Sequence, residues 1–83
     1  MTDRHPARYS VEVARTIRSM TADIRKRLHI AVQQAESDPL SWPQADRYDL
    51  DTTVRVITTA DAIVHYAILP EPPHLWVFAA LLL

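Results

Sequence analysis

The chain has 83 residues, contains neither glycine nor cysteine, and carries a formal net charge of -1 at pH 7. Without glycine it has no phosphate-binding loop, no dinucleotide-binding turn and no hydrolase nucleophile elbow, since each of these needs a residue without Cβ. Without cysteine it has no disulfide, no thiolate metal site and no cysteine nucleophile. A reducing cytoplasm suits such a chain, so we expect a cytoplasmic protein.

The charge is distributed unevenly along the chain. Residues 1–34 contain seven Arg or Lys and three Asp or Glu, a balance of +4, whereas residues 35–83 contain two and seven, a balance of -5. Such a split indicates a face that attracts a polyanion or an acidic partner, although two solvated faces give the same count. A domain of this size buries only about 60–65% of its unfolded surface, so we expect a partner chain to add stability.

The N-terminus predicts a short arm followed by a strand. Residues 1–7 are mostly polar and contain a proline, which is typical of a flexible arm, and residues 8–83 predict a single domain. Tyr9, Val11 and Val13 alternate with polar residues. A period of two indicates a strand over these positions.

The next segment predicts two helices. From Arg15 onward, apolar residues recur at spacings of three and four, which form one apolar stripe on a helix. A set of basic side chains falls together on a different face: Arg15, Arg18, Arg25 and His29. Thr21 has an acidic residue two positions later and is typical of a helix N-cap. The second helix should end before Pro39, because proline cannot continue the helical hydrogen bonds. We therefore predict helices over about 13–20 and 21–37.

The remaining residues predict strands. Residues 52–58 and 62–69 are rich in β-branched side chains, and residues 47–50 are a candidate edge segment. Residues 75–83 are all apolar; they are too few for a membrane helix, which needs about 20, and we expect a fully buried strand. Helices followed by strands indicate an α+β fold. We expect an N-terminal strand and a helical hairpin packed on a three- to four-stranded antiparallel sheet.

This order of elements resembles a known family. The stretches that carry the resemblance are the helix over 21–28 with its Ser37-Asp38-Pro39 ending, the hairpin strands 54–57 and 63–68, and the strand 75–78. They resemble the RelE/ParE superfamily of bacterial toxins from type II toxin–antitoxin pairs, over roughly residues 8–83. The resemblance implies a toxin that a cognate antitoxin binds and neutralises in a hetero-oligomer.

The resemblance also implies a target, either ribosome-bound mRNA or DNA gyrase. The mRNA-cleaving members are metal-independent endoribonucleases that need a base, an acid and cations on one face of the sheet. In the hairpin, the candidates for these catalytic roles are Arg55, His65 and Tyr66, and Ile63 stands where RelE-like members carry an arginine. Neighbouring strand residues face opposite sides, so at most one of His65 and Tyr66 joins Arg55.

An alternative interpretation is a non-catalytic binder of the same fold: a gyrase-inhibiting or degenerate toxin, or a module that binds nucleic acid or the ribosome. Basic side chains suit either an acidic partner or phosphate groups. The candidates for nucleic-acid or partner binding are Arg15, Arg18, Arg25, Lys26, Arg27 and Arg47. The four histidines lack the spacing of a metal site, so we expect no metal. We also expect no cofactor and no membrane partner.

Overall fold

The computed structural model describes residues 4–45 and 51–83. The prediction of an edge segment over 47–50, and with it Arg47, lies outside the described residues. The described chain forms two helices and one four-stranded sheet. In chain order the elements are β1 Ala7–Tyr9, α1 Val11–Ser19, α2 Ala22–Ser37, β2 Val54–Thr58, β3 Ala62–Pro70 and β4 Pro73–Leu82.

The predicted α+β class, with an N-terminal strand and a helical hairpin beside the sheet, is confirmed. The strand order is β1-β4-β3-β2. Strands β2, β3 and β4 are antiparallel as predicted, and β1 adds to the outer side of β4 as a parallel strand, which makes the sheet mixed. Along the chain, the two helices separate β1 from the other three strands. In space, β1 nevertheless lies beside the last strand, β4.

The boundary between β1 and α1 differs from the prediction. The strand predicted over residues 9–13 ends at Tyr9, and Val11 and Val13 belong to α1. The physical reason is Ser10, an N-cap residue whose Oγ accepts a hydrogen bond from the N–H of Val13. Val13 then points into the core at the helical period. The second helix was predicted correctly, because the Oγ1 of Thr21 caps α2 in the same way.

Both helices cover the same face of the sheet. The core between the helices and the sheet consists of apolar side chains and the phenol of one tyrosine. Its members are Val13, Met20, Leu28, Ala31, Val32, Ala35, Ile57, Ala62, Val64, Tyr66, Leu75 and Val77. Neither helix in the described part of the chain is long and apolar enough to cross a membrane.

Strand β4 is half-buried, so the prediction of a fully buried strand is wrong. Leu75 and Val77 face the helices and are buried, whereas the intervening Trp76 is 38% exposed and Leu81 is 60% exposed. The reason is that helices cover only one of the two faces, and alternate residues of a strand face opposite sides. A continuous apolar sequence therefore places large apolar side chains on the uncovered face.

The segment before β1 is held by the end of α2. The carboxylate of Glu36 accepts a hydrogen bond from the N–H of Ala7 at 2.8 Å and forms an ion pair with Arg4 at 3.2 Å. The backbone carbonyl of Glu36 also accepts from the N–H of His5 at 3.0 Å. These contacts fix where β1 begins. The carboxylate also satisfies an N–H that β1 turns away from the sheet.

The β2–β3 turn closes without glycine. No described residue has a positive φ, so no position requires the conformational freedom of glycine. The Oγ1 of Thr59 accepts hydrogen bonds from the N–H groups of Asp61 and Ala62, and the N–H of Thr59 donates to the carbonyl of Ala62. A threonine hydroxyl therefore completes the turn.

Candidate functional site

Of the three predicted catalytic residues, the sheet brings two together. Arg55 on β2 and Tyr66 on β3 are directly opposite each other in the antiparallel register, so they share a face. This is the face covered by the helices, because the neighbouring pair Ile57 and Val64 lies in the core. His65 lies on the other face, as expected for the residue adjacent to Tyr66.

Tyr66 is completely buried, and its hydroxyl is hydrogen-bonded. Its side chain is 0% exposed, and its hydroxyl donates a hydrogen bond of 2.6 Å to the carbonyl of Pro39. Burial raises the pKa of Tyr66 to about 12, with a smaller lowering by the Arg55 charge and a raising by Asp38. The phenol therefore stays protonated at neutral pH. It links β3 to the segment that leaves α2.

Arg55 is half-buried and binds backbone carbonyls. Its Nε donates to the carbonyl of Thr52 at 2.9 Å, and its Nη1 donates to the carbonyl of Trp42 at 3.2 Å. With Tyr66, it fastens residues 38–45 to the sheet. In this arrangement the side chains of Arg55 and Tyr66 both donate hydrogen bonds to backbone carbonyls of the same chain. Their catalytic roles remain predictions.

His65 lies on the uncovered face of the sheet. Its ring is 6.2 Å from the ring of Phe78, measured between centroids, and inclined by 40°. With Val56, Thr58 and Ile63 it lines a shallow depression of about 340 Å³. The sheet separates His65 from Arg55 and Tyr66, so the three residues do not converge on one site.

The predicted basic run Arg25-Lys26-Arg27 does not act as one surface. The Nε of Arg27 donates to the Oδ2 of Asp61 in the β2–β3 turn at 2.7 Å, and this hydrogen bond raises the pKa of Arg27. Arg25 faces α1, and Lys26 is exposed between them. The division follows from helix geometry, because successive residues are turned by about 100° around the axis.

A groove between the two helices brings together two of the predicted binding residues, Arg18 and Arg25. We call it the basic groove; it encloses about 290 Å³. Its lining consists of Tyr9, Ala14, Ile17, Arg18, Arg25, Leu28, His29 and Val32. Leu28 and Val32 form an apolar floor, each 3% exposed, whereas Arg18, Arg25 and His29 are exposed at the rim.

The rim arginines of the basic groove have no acidic partner within residues 4–45 and 51–83. The ion pairs in that part of the chain join Arg4 to Glu36 and Arg27 to Asp61. Arg18 and Arg25 therefore present their charges to solvent. Beside them, burial and the nearby Glu36 carboxylate raise the pKa of Tyr9, so its phenol stays neutral.

The sequence pattern predicted part of this groove. The shared position of Arg15, Arg18, Arg25 and His29 on one side of the helical stripe was visible, and three of these four line the groove. Arg15 is exposed on α1 but lies outside the lining. The contribution of Tyr9 was not predicted, because it depends on how β1 places its side chain against the helices.

No protein-family model and no curated protein matches the sequence. The fold is a small α+β arrangement with an N-terminal strand, two helices and three further strands in a mixed four-stranded sheet. Function must therefore be inferred from the surfaces of the protein itself.

Proposed function

We propose that this protein is a RelE/ParE-like toxin of a type II toxin–antitoxin pair, and that its basic groove receives an acidic segment of the cognate antitoxin. The observation that carries the proposal is the pair of exposed arginines, Arg18 and Arg25, above an apolar floor between α1 and α2. The order of elements, shared with the toxins it resembles, supports the same proposal.

The chemistry of the groove favours a peptide over a nucleic acid. Arginine binds carboxylates and phosphates with similar bidentate geometry, so the rim alone does not distinguish the two ligands. The apolar lining does, because the part-exposed Ala14 and Ile17 offer a surface that a phosphate backbone cannot use. An amphipathic segment with acidic residues on one side and apolar residues on the other matches both features.

The sheet favours inhibition by binding over RNA cleavage. The hydrogen-bonding groups of Arg55 and Tyr66 are directed to carbonyls of residues 38–45 and Thr52. A ribonuclease site needs an acid, a base and a cation free to approach one phosphate. We therefore favour the non-catalytic alternative, in which the toxin acts by occupying a target such as DNA gyrase, with ribosome-bound mRNA as the competing target.

Expression in bacteria tests the proposal directly. The protein should arrest growth, and co-expression of a small acidic protein encoded beside its gene should restore growth. The double variant Arg18→Glu/Arg25→Glu should still arrest growth but should weaken antitoxin binding at least about tenfold, measured by calorimetry, since rim charges complement an acidic partner.

The matched control is Arg15→Glu/Lys26→Glu. It makes the same change in net charge on the same two helices, at exposed positions outside the groove lining. It should leave antitoxin affinity within about twofold of the wild type. Absence of growth arrest would contradict the toxin proposal, and equal loss of affinity in both double variants would contradict the groove assignment.

Arg55→Ala separates the two modes of action. If the protein acts by binding alone, we expect Arg55→Ala to keep its toxicity as long as circular dichroism shows that it is folded. A sheet-based ribonuclease should instead lose mRNA cleavage about 100-fold or more, since one catalytic group commonly contributes that much. Toxicity lost in a folded Arg55→Ala variant would refute the binding-only mechanism.

A further inference from the structure

The sheet has two outer edges, and residues 43–45 cover the first half of the edge at β2. Beside β2, the N–H of Ala45 donates to the carbonyl of Val54, and the N–H of Val56 donates to the carbonyl of Pro43, both at 3.0 Å. Residues 43–45 therefore satisfy the outward carbonyl of Val54 and the outward N–H of Val56, in the first half of β2. Covering an edge in this way prevents pairing with another chain.

The opposite edge is covered only in part. The short strand β1 pairs with Leu75, Trp76 and Val77 of β4, and the last bond on this side joins the N–H of Ser10 to the carbonyl of Val77 at 3.1 Å. Beyond Val77 the chain turns into α1. Among the residues that the structure describes, no strand lies beside the second half of β4 on that side.

The register of β3 and β4 shows which backbone groups of β4 point away from β3, toward the open edge. The N–H of Leu83 bonds the carbonyl of Asp61, and Leu81 pairs with Ile63. Because the pairing direction alternates along a strand, Leu81 directs its N–H and carbonyl toward β3. Ala80 and Leu82 direct theirs away from it. Within the described residues no hydrogen bond reaches these outward groups of Ala80 and Leu82.

The side chains at this edge carry no protection against pairing. Natural edge strands commonly carry lysine or proline where another strand must not add. Residues 75–83 contain neither, nor any other charged residue, and Leu81 is 60% exposed. A groove of about 220 Å³ separates Glu12 and Thr16 of α1 from Ala80, so α1 leaves space beside the strand.

We propose that this edge pairs, in antiparallel orientation, with the same edge of a second copy of the protein. Ala80 of one copy would lie opposite Leu82 of the other, and each such pair would exchange both backbone hydrogen bonds. The two-fold axis then passes beside Leu81, so the two Leu81 side chains face each other at about 5 Å between Cβ atoms. The two sheets become one continuous sheet.

Two observations favour a second copy as the occupant. Antiparallel pairing of identical edges is self-complementary, and the net charge of -1 imposes little repulsion between copies. A two-fold contact uses this same edge of both copies, so association through it ends at a closed dimer. The inference is independent of the proposed function, since the basic groove lies between the helices.

Charge substitution at the axis tests the pairing. Leu81→Lys alone and Leu81→Glu alone should each raise the dimer dissociation constant at least about tenfold, because like charges directly opposite destabilise strand pairs. An equimolar mixture of the two variants should regain dimers. Sedimentation velocity over a range of concentrations measures the dimer dissociation constants of each variant and of the mixture. The matched control is Leu40→Lys, at a leucine that is 63% exposed and distant from this edge in the chain.

Amide hydrogen exchange followed by NMR gives a second readout that does not need a variant. The N–H groups of Ala79 and Leu81 should be protected at every concentration, whereas those of Ala80 and Leu82 should gain protection only as dimers form. A wild-type protein that stays monomeric to millimolar concentration would overturn the proposal. Dimers that Leu81→Lys and Leu40→Lys weaken equally, or dimers with rapidly exchanging Ala80 and Leu82, would overturn it as well.

Discussion

Tyr66→Ala should lower the free energy of unfolding by about 3–5 kcal/mol, the range for removing a large aromatic side chain from a core. Tyr66 is the largest fully buried side chain in the described residues, and it lies on an inner strand between β2 and β4. Small domains have a total stability of roughly 5–15 kcal/mol, so this loss is a large share of the whole. Urea unfolding followed by circular dichroism measures it.

The hydroxyl contributes separately from the ring. Tyr66→Phe keeps the packing but leaves the carbonyl of Pro39 without its 2.6 Å donor. We expect a loss of about 1–2 kcal/mol, since an unsatisfied buried acceptor costs more than an average hydrogen bond. The matched control is Tyr9→Phe, at a half-exposed tyrosine whose hydroxyl makes no hydrogen bond within the described residues. A Tyr66→Phe variant as stable as Tyr9→Phe would contradict the structural role.

The variant Tyr66→Phe also tests whether Tyr66 has a catalytic role. If Tyr66 serves only to hold residues 38–45 against the sheet, toxicity should follow stability, and a folded Tyr66→Phe variant should remain toxic. Loss of toxicity with unchanged stability would instead support the catalytic role implied by the family resemblance. The structural role is the one we favour, because the phenol is buried beneath the helices.

The sequence predicted the type and order of the described elements because each one has a strong local signal. Thr21 and Pro39 delimit α2 through capping and through the missing N–H of proline. Val11 was assigned to the wrong element, because a short run of alternating residues fits a strand and the first turn of a helix equally well. Only the cap at Ser10 decides between them.

The candidate site was less predictable, since it depends on tertiary packing. The apolar run ending at Leu83 gave no sign that only one face of β4 would be covered. The basic run gave no sign that Arg27 would turn to Asp61, which is distant in sequence. The grouping of Arg18 with Arg25 was visible as a shared face, but the groove between them exists only because α1 and α2 pack side by side on the sheet.

Raising the pH should destabilise the protein through Tyr66. Its folded pKa is about 12 against an ordinary value of 10.0, chiefly because burial disfavours the phenolate. The fold therefore favours the neutral phenol, and this contribution to stability is fully present below pH 10. Between pH 10 and about 12 the unfolded chain loses this proton first, so stability should fall as the pH rises. Urea midpoints measured from pH 9 to pH 12 follow the fall.

The substitution Tyr66→Phe identifies the responsible group. Phenylalanine does not titrate, so this variant should be less stable than the wild type at pH 9 but should decline less steeply toward pH 12. Burial also raises the pKa of Tyr9, so Tyr9→Phe should reduce the decline too, by a smaller amount because that side chain is partly exposed. An equally steep decline in the wild type and in Tyr66→Phe would show that another group controls alkaline unfolding. It would also remove the pH argument for a buried, hydrogen-bonded phenol beneath the helices.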